Sequence, residues 1–377
     1  MQMPSSAQPP VFDLPRHALG ADAQADLDAC RATLREGSYT FFAASLILPR
    51  AVRQPASALY AFCRMADDEV DTGADQQAAV AQLRQRLHAV YSGRARAQPC
   101  DRALAAVVQH FAIPRELPEA LLDGFAWDAE GRRYETIAEL HGYAARVAGT
   151  VGAMMALLMG VRSAEGLARA CDLGVAMQLS NIARDVGEDA RMGRIYLPLQ
   201  WLREAGVQPD AWLAQPRFNV AIGSVVARLL DEADRLYERV DDGVARLPLG
   251  CRPGINAARY LYAAIGHEVA RRGMNSVDQR AVVPRARKAR LLARALLNVA
   301  PGRAHQSAPC LAANQFLVSA ALRAALPEAN PAVAAAQAAW WRIDERLAAR
   351  YVRVLELFER LERRDRGEAL GLVKAGP

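Results

Sequence analysis

Lysine is almost missing from this 377-residue chain: 47 residues are basic, and only Lys288 and Lys374 among them are lysines rather than arginines. The arginines are scattered among 41 acids and no RNA or DNA module is recognisable, which argues against a nucleic-acid partner. The net charge of +6 suits instead an anionic small molecule or an anionic membrane surface. Aromatic residues make up only 6%, and β-branched residues do not dominate, so a strand-rich fold is disfavoured. The six cysteines (Cys30, Cys63, Cys100, Cys171, Cys251, Cys310) form no C-x-x-C and have no histidine cluster beside them. They read as thiols in a reducing compartment rather than as a disulfide framework or a zinc site. No Gly-x-Gly-x-x-Gly follows a strand, so no nicotinamide cofactor is expected. The longest apolar run, Val147 to Val161, is interrupted by Thr150 and three glycines and is shorter than the roughly 20 residues a spanning helix needs. The first ten residues lack the charged and apolar regions of a signal peptide. The expectation is a cytoplasmic enzyme, peripherally associated with the inner face of the membrane.

What is abundant is helical period. Apolar residues recurring at steps of three and four predict helices over 22–35, 55–70, 75–91, 101–112, 117–130, 136–159, 164–190, 222–246, 253–272 and 284–299, with almost no alternating strand signal. This is an all-α chain. Residues 1–20 read as disordered, 21–299 as the catalytic domain, and 300–377 as a linker followed by an extension. In that extension Ile343, Leu347, Tyr351, Val354, Phe358 and Leu361 mark one face of an amphipathic helix, suited to packing on the same domain or to a partner or membrane.

Two Asp-x-x-x-Asp elements carry the chemistry. Asp67 and Asp71 stand near the end of the 55–70 helix; Asp185 and Asp189 stand near the end of the 164–190 helix. Residues four apart lie on one helix face, so each element aims two like charges the same way, at a cost of a few tenths of a kcal/mol. Acids are also unfavourable at a helix C-terminus. A chain that does this twice has a cation to hold, and Mg²⁺ fits best, with Mn²⁺ able to substitute, because it takes oxygen ligands and is commonly shared with substrate phosphates. Asn181 extends the second row to i, i+4, i+8, with Gln178 a turn earlier and Glu188 beside it. Arg64, Arg184, Arg191 and Arg194 supply guanidinium forks for phosphate. Asp68 and Glu69, about 100° and 200° round the helix from Asp67, are expected to face solvent or to support the others. A third stretch, Tyr143-Ala-Ala-Arg-Val-Ala-Gly-Thr-Val-Gly-Ala-Met-Met155, sets small residues on an apolar helix, which suits either close helix packing or a channel wall for a long hydrocarbon.

Together these motifs resemble the squalene/phytoene synthase family: Tyr60-Ala-Phe-Cys-Arg with Asp67-x-x-x-Asp71, then Arg-Val-Ala-Gly-Thr-Val-Gly152, then Gln178-Leu-x-Asn-Ile-x-Arg-Asp-Val-x-Glu-Asp189 and Gly193-Arg-x-Tyr-Leu-Pro198. The similarity runs from about residue 25 to 300 and is strongest to the bacterial phytoene synthases of carotenoid pathways. It implies a class I isoprenoid synthase helical bundle with a central cavity. It also implies head-to-head condensation of two geranylgeranyl diphosphates through prephytoene diphosphate. Farnesyl diphosphate, in a dehydrosqualene or hydroxysqualene synthase, and a silent assembly factor of the same fold are the alternatives. Carried over by position, Asp67, Asp71, Asp185 and Asp189 bind Mg²⁺–diphosphate, supported by Asn181. Arg64, Arg184 and Arg194 grip diphosphate oxygens, while Tyr60, Tyr143, Gln178 and Tyr262 line the reaction chamber. Where the family often has His-Ser-Lys-Ser-Phe, this chain has Gly37-Ser-Tyr-Thr-Phe41; Ser38 and Phe41 keep the hydroxyl and aromatic character expected of substrate contacts. Contact with other carotenoid-pathway enzymes is also implied.

Overall fold

The computed structural model describes residues 21–37, 39–73, 75–298 and 308–324, and these residues contain helices and no strand. The helices are α1 (Ala21–Gly37), α2 (Tyr39–Ile47), α3 (Arg50–Thr72), α4 (Gln76–Tyr91), α5 (Pro99–His110), α6 (Glu116–Ala129), α7 (Ile137–Ala144), α8 (Thr150–Leu158), α9 (Ala164–Arg191), α10 (Leu199–Glu204), α11 (Pro209–Ala214), α12 (Val220–Ala245), α13 (Arg252–Arg271), α14 (Arg285–Leu297) and α15 (Gln315–Arg323). The reading of 1–20 as a separate segment and the 343–361 helix lie outside the described residues. No described helix is long and apolar enough to cross a membrane.

Helix α9 is the axis of the bundle: 18 of its 28 residues are buried, and α12, α13, α8 and α15 pack along it. Its start is fixed locally, since Ser163 Oγ accepts the Gly166 amide, and Asn219 does the same for Ile222 at the head of α12. At α7 the side chain of Thr136 takes the Glu139 amide while the Glu139 carboxylate takes the Glu135 amide. Each cap satisfies backbone donors that the first turn leaves unpaired.

Two boundaries differ from the sequence reading. α3 begins at Arg50, five residues before Pro55, because the turn after Pro49 already bonds the amides of Val52 and Arg53 to the Pro49 carbonyl and buries Val52. The single helix expected over 136–159 is two helices joined by a π turn at Ala145–Gly149. Beside that turn α8 meets α9 at backbone distance. A Cβ on Gly152 would lie 2.1 Å from the Ala170 carbonyl oxygen, and one on Gly174 would lie 2.2 Å from that of Ala148. Close packing is thus what these two glycines provide.

Residues 308–324 brace the far side of α9. Arg169 donates to the Ala308 and Pro309 carbonyls, and Arg239 reaches Asp172 at 3.0 Å. The buried Asn314 amide donates to Asp172 at 2.9 Å. Asp172 is fully buried, but with two arginines and an amide around it the charge is satisfied.

Candidate active site

The two acidic rows end up on α3 and α9, and an arginine just past the end of α9 links them. Arg194, in the loop after α9, donates to Asp71 of α3 at 3.2 Å. Each row carries its own guanidinium as well. Arg64 pairs with Asp67 at 3.3 Å and with Asp68 at 2.6 Å, so the half-exposed Asp68 supports the row through Arg64. Arg184 binds both oxygens of Asp185. Glu69 is also held: the buried Arg86 bonds it at 2.8 Å while its Nε donates to the fully buried Asp101.

One carboxyl of each row resists ionisation. Burial first, and the neighbouring Asp185 second, raise Asp189 to a pKa of about 7. Burial, then Asp71, raises Asp67. The side-chain oxygen of Asn181, one turn before Asp185, is buried and has no hydrogen-bond partner. Among the described residues no three acidic, histidine or cysteine side chains converge as a closed metal cage. An all-oxygen set of paired carboxylates with an orphaned amide oxygen still fits Mg²⁺, which is usually bound by one or two carboxylates with the remaining positions left to water and phosphate.

Tyr143 of α7 is brought to the same centre, but through a residue that the sequence reading did not single out. Its hydroxyl donates to Asp128 of α6 at 2.8 Å, and the Tyr196 hydroxyl donates to the other Asp128 oxygen at 2.8 Å. The Tyr143 and Tyr196 rings stack with centroids 5.2 Å apart, and Tyr134 lies 5.2 Å from Tyr143 on a tilted plane. Burial raises the Asp128 carboxyl to about 6 against the two tyrosine hydrogen bonds, and both Arg194 and Asp71 act on it. The signal was present: Asp128 closes the apolar stretch Phe125-Ala-Trp-Asp, where a carboxylate needs partners. Arg280 was missed with no local signal. It comes from the loop before α14 and bonds Asp185 at 2.9 Å and Glu188 at 3.5 Å.

Tyr262 of α13 is buried, and the charge of Arg184 and the hydroxyl of Tyr60 both act on its own hydroxyl. Gln178 is half-buried on the Asn181 row. A Cβ at Gly37 would stand 2.6 Å from the Tyr60 hydroxyl, so a side chain at 37 requires the Tyr60 ring to move. Ser38 lies outside the described residues, and Phe41 is placed in α2 by its backbone alone.

A pH dependence follows for the metal-free protein. Asp189 holds its proton more tightly folded than unfolded, so between about 4 and 7 the folded state binds more protons and stability falls as pH rises. Asp189→Asn removes that loss. In the presence of a chelator, the melting temperature of Asp189→Asn should gain on that of the wild type as pH rises from 5 to about 8; a constant difference would show that the carboxyl titrates normally.

A family model described as squalene/phytoene synthase matches residues 34–287. A phytoene synthase of Rhodobacter capsulatus is 57% identical over 279 residues, covering 73% of this chain and 82% of that protein. One from Cereibacter sphaeroides is 53% identical over 317 residues, covering 80% and 89%. Among solved structures, a dehydrosqualene synthase in complex with ligand superposes with a TM-score of 0.69 at 32% identity, covering 73% of this chain and 97% of that one. A squalene synthase from Alicyclobacillus acidocaldarius gives 0.64 at 26%, covering 68% and 97%.

Proposed function

The chain belongs to the squalene/phytoene synthase family, and from that premise we propose that its site joins two geranylgeranyl diphosphates head to head and releases phytoene. It is a prenyltransferase of carotenoid biosynthesis with the all-α isoprenoid synthase fold. The observation that carries the site assignment is the junction of the two acidic rows, with Arg194 bonded to Asp71 and Arg184 and Arg280 both on Asp185. Carboxylates and guanidiniums interleaved in this way can accept a diphosphate and a divalent cation together. The phytoene-forming relatives, more than half identical, select the C20 substrate. The dehydrosqualene synthase structure keeps a C15 substrate as the second reading.

Asp67, Asp71, Asp185 and Asp189, with the free oxygen of Asn181, would hold Mg²⁺ or Mn²⁺. When bound, the ion supplies charge neutralisation for the departing diphosphate oxygens. Arg64, Arg184, Arg194 and Arg280, now paired with the site's carboxylates, would take those oxygens as they leave. Loss of the first diphosphate leaves an allylic cation on one substrate. The C2–C3 double bond of the second substrate captures it, and proton loss closes the cyclopropane of prephytoene diphosphate. A second ionisation, rearrangement and proton loss give the product. Tyr60, Tyr143, Gln178 and Tyr262 line the chamber, where aromatic faces stabilise positive charge and water is kept from it. Asp128 fixes two of the tyrosine hydroxyls and so orients their rings. Residues 21–299 carry this chemistry, and 300–377 are an extension that braces it through 308–324. The enzyme works at the inner face of the cytoplasmic membrane, held reversibly there and beside other enzymes of the pathway.

The test is incubation of the protein with C20 or C15 diphosphate, Mg²⁺ and no NADPH, followed by identification of the hydrocarbon. Phytoene from the C20 substrate is expected. Dehydrosqualene formed in preference from the C15 substrate would replace the assignment by the second reading. Product formed only when NADPH is supplied would place the protein with the reducing members of the family.

A further inference from the structure

Residues 279–298 contain six basic side chains, Arg280, Arg285, Arg287, Lys288, Arg290 and Arg294, and no acid. Twenty residues thus carry as much charge as the net charge of the whole chain, +6, while elsewhere arginines and acids are mixed. Most of this stretch is α14. Its inner face is accounted for: Leu292 and Ala295 are fully buried against Ile47, Ala257 and Leu261. Ala286, Arg290, Arg294 and Leu297 follow at steps of four and three on the opposite face, and all four are exposed. Leu297 closes this row and is 83% exposed, and Val282, in the loop before the helix, is 59% exposed. From Ala286 to Leu297 the row is about 16 Å long at helical rise.

We propose that this outer face of α14 seats the protein on an anionic lipid surface. Two features select lipid over a nucleic acid or an acidic protein. The cationic row ends in the exposed Leu297, and the loop before it exposes Val282, aliphatic side chains that a bilayer accommodates below its headgroups. The segment itself carries no aromatic side chain, and the neighbouring Tyr260 ring is half-buried with the Arg294 guanidinium 4.8 Å from its centroid, so it is taken up by a cation rather than offered to a base. The position is also functional. Arg280, at the head of the same segment, bonds Asp185 and Glu188, so the cationic face begins where the diphosphate site ends. In this part the inference rests on the proposed reaction, whose substrates and product carry hydrocarbon tails that partition into lipid. Docking here would bring the site to its substrate supply.

Flotation of the full chain with phosphatidylcholine vesicles, and with vesicles containing phosphatidylglycerol, separates the outcomes. The wild type is expected to float with the anionic vesicles at low salt and to be released at about 1 M salt, where charges are screened beyond roughly 3 Å. Arg290→Gln with Arg294→Gln should weaken partition roughly thirtyfold, from about 1 kcal/mol for each cation removed, and Leu297→Ser should weaken it further. These side chains are exposed and outside the catalytic machinery, so melting temperature and product formation from detergent-dispersed substrate should match the wild type. A double variant that floats like the wild type would overturn the proposal, as would wild-type binding to RNA but to neither vesicle. Failure to form product from dispersed substrate, with vesicle binding intact, would instead count against the proposed reaction and leave the lipid face standing.

Discussion

Asp185→Asn is expected to lower turnover by about 10²–10³, the usual cost of removing one preorganised group that stabilises leaving-group charge, about 2.7–4 kcal/mol. Asp185 is the most heavily engaged carboxylate of the site, bonded by Arg184 of its own helix and by Arg280 from the loop before α14. Its replacement removes one oxygen ligand for the cation and unsettles both guanidiniums that are to receive diphosphate. The fold should survive, because the change also removes a like charge that helps push Asp189 up to about 7. Hydrocarbon formation and a thermal melt on the same preparation check both halves. Turnover close to the wild type, or full activity of the wild type with divalent metal chelated, would remove the acidic rows from the mechanism. The same loss is expected at Asp67, Asp71 and Asp189.

Gly174→Ala should be among the most destabilising conservative changes in the chain. The new Cβ would lie 2.2 Å from the Ala148 carbonyl oxygen and 2.6 Å from its carbon, and both are backbone atoms that cannot rotate away. Helix propensity favours alanine by up to about 1 kcal/mol. Overpacking costs typically about 1–3 kcal/mol, and more where the obstacle is main chain, so the clash wins. Gly152→Ala should behave alike, since its Cβ meets the Ala170 carbonyl at 2.1 Å. Gly142→Ala in α7 is the control: only the end of Arg146 comes within 4 Å, at 3.9 Å, and stability should hold or rise. Melting temperatures of the three variants decide it. A Gly174→Ala protein as stable as Gly142→Ala would mean that the π turn and α9 are not in backbone contact.

Much of this protein is local and could be read from its residues. Helix periods, the two acidic rows and the guanidinium three residues before Asp67 depend on rise and turn angle alone. The sequence left the small residues of 148–153 open between packing and a channel wall, because a glycine records only that a side chain is unwelcome; the opposing carbonyl identifies the reason. The π turn at Ala145–Gly149 was likewise hidden, since one wider turn barely disturbs an apolar pattern.

The amino-acid order by itself determined an all-helical chain and the placing of four aspartates as two rows, because both follow from interactions within a few residues. Only the tertiary structure decided which groups those rows meet. Arg194 reaches Asp71 across 123 positions, Arg280 reaches Asp185 across 95, and Asp128 gathers the hydroxyls of Tyr143 and Tyr196 from two other segments. Such partners are set by where the fold brings α3, α6, α9 and the loops after α9 and before α14 in space. Buried charge then requires that each carboxylate find a donor or keep its proton, and no local spacing encodes that.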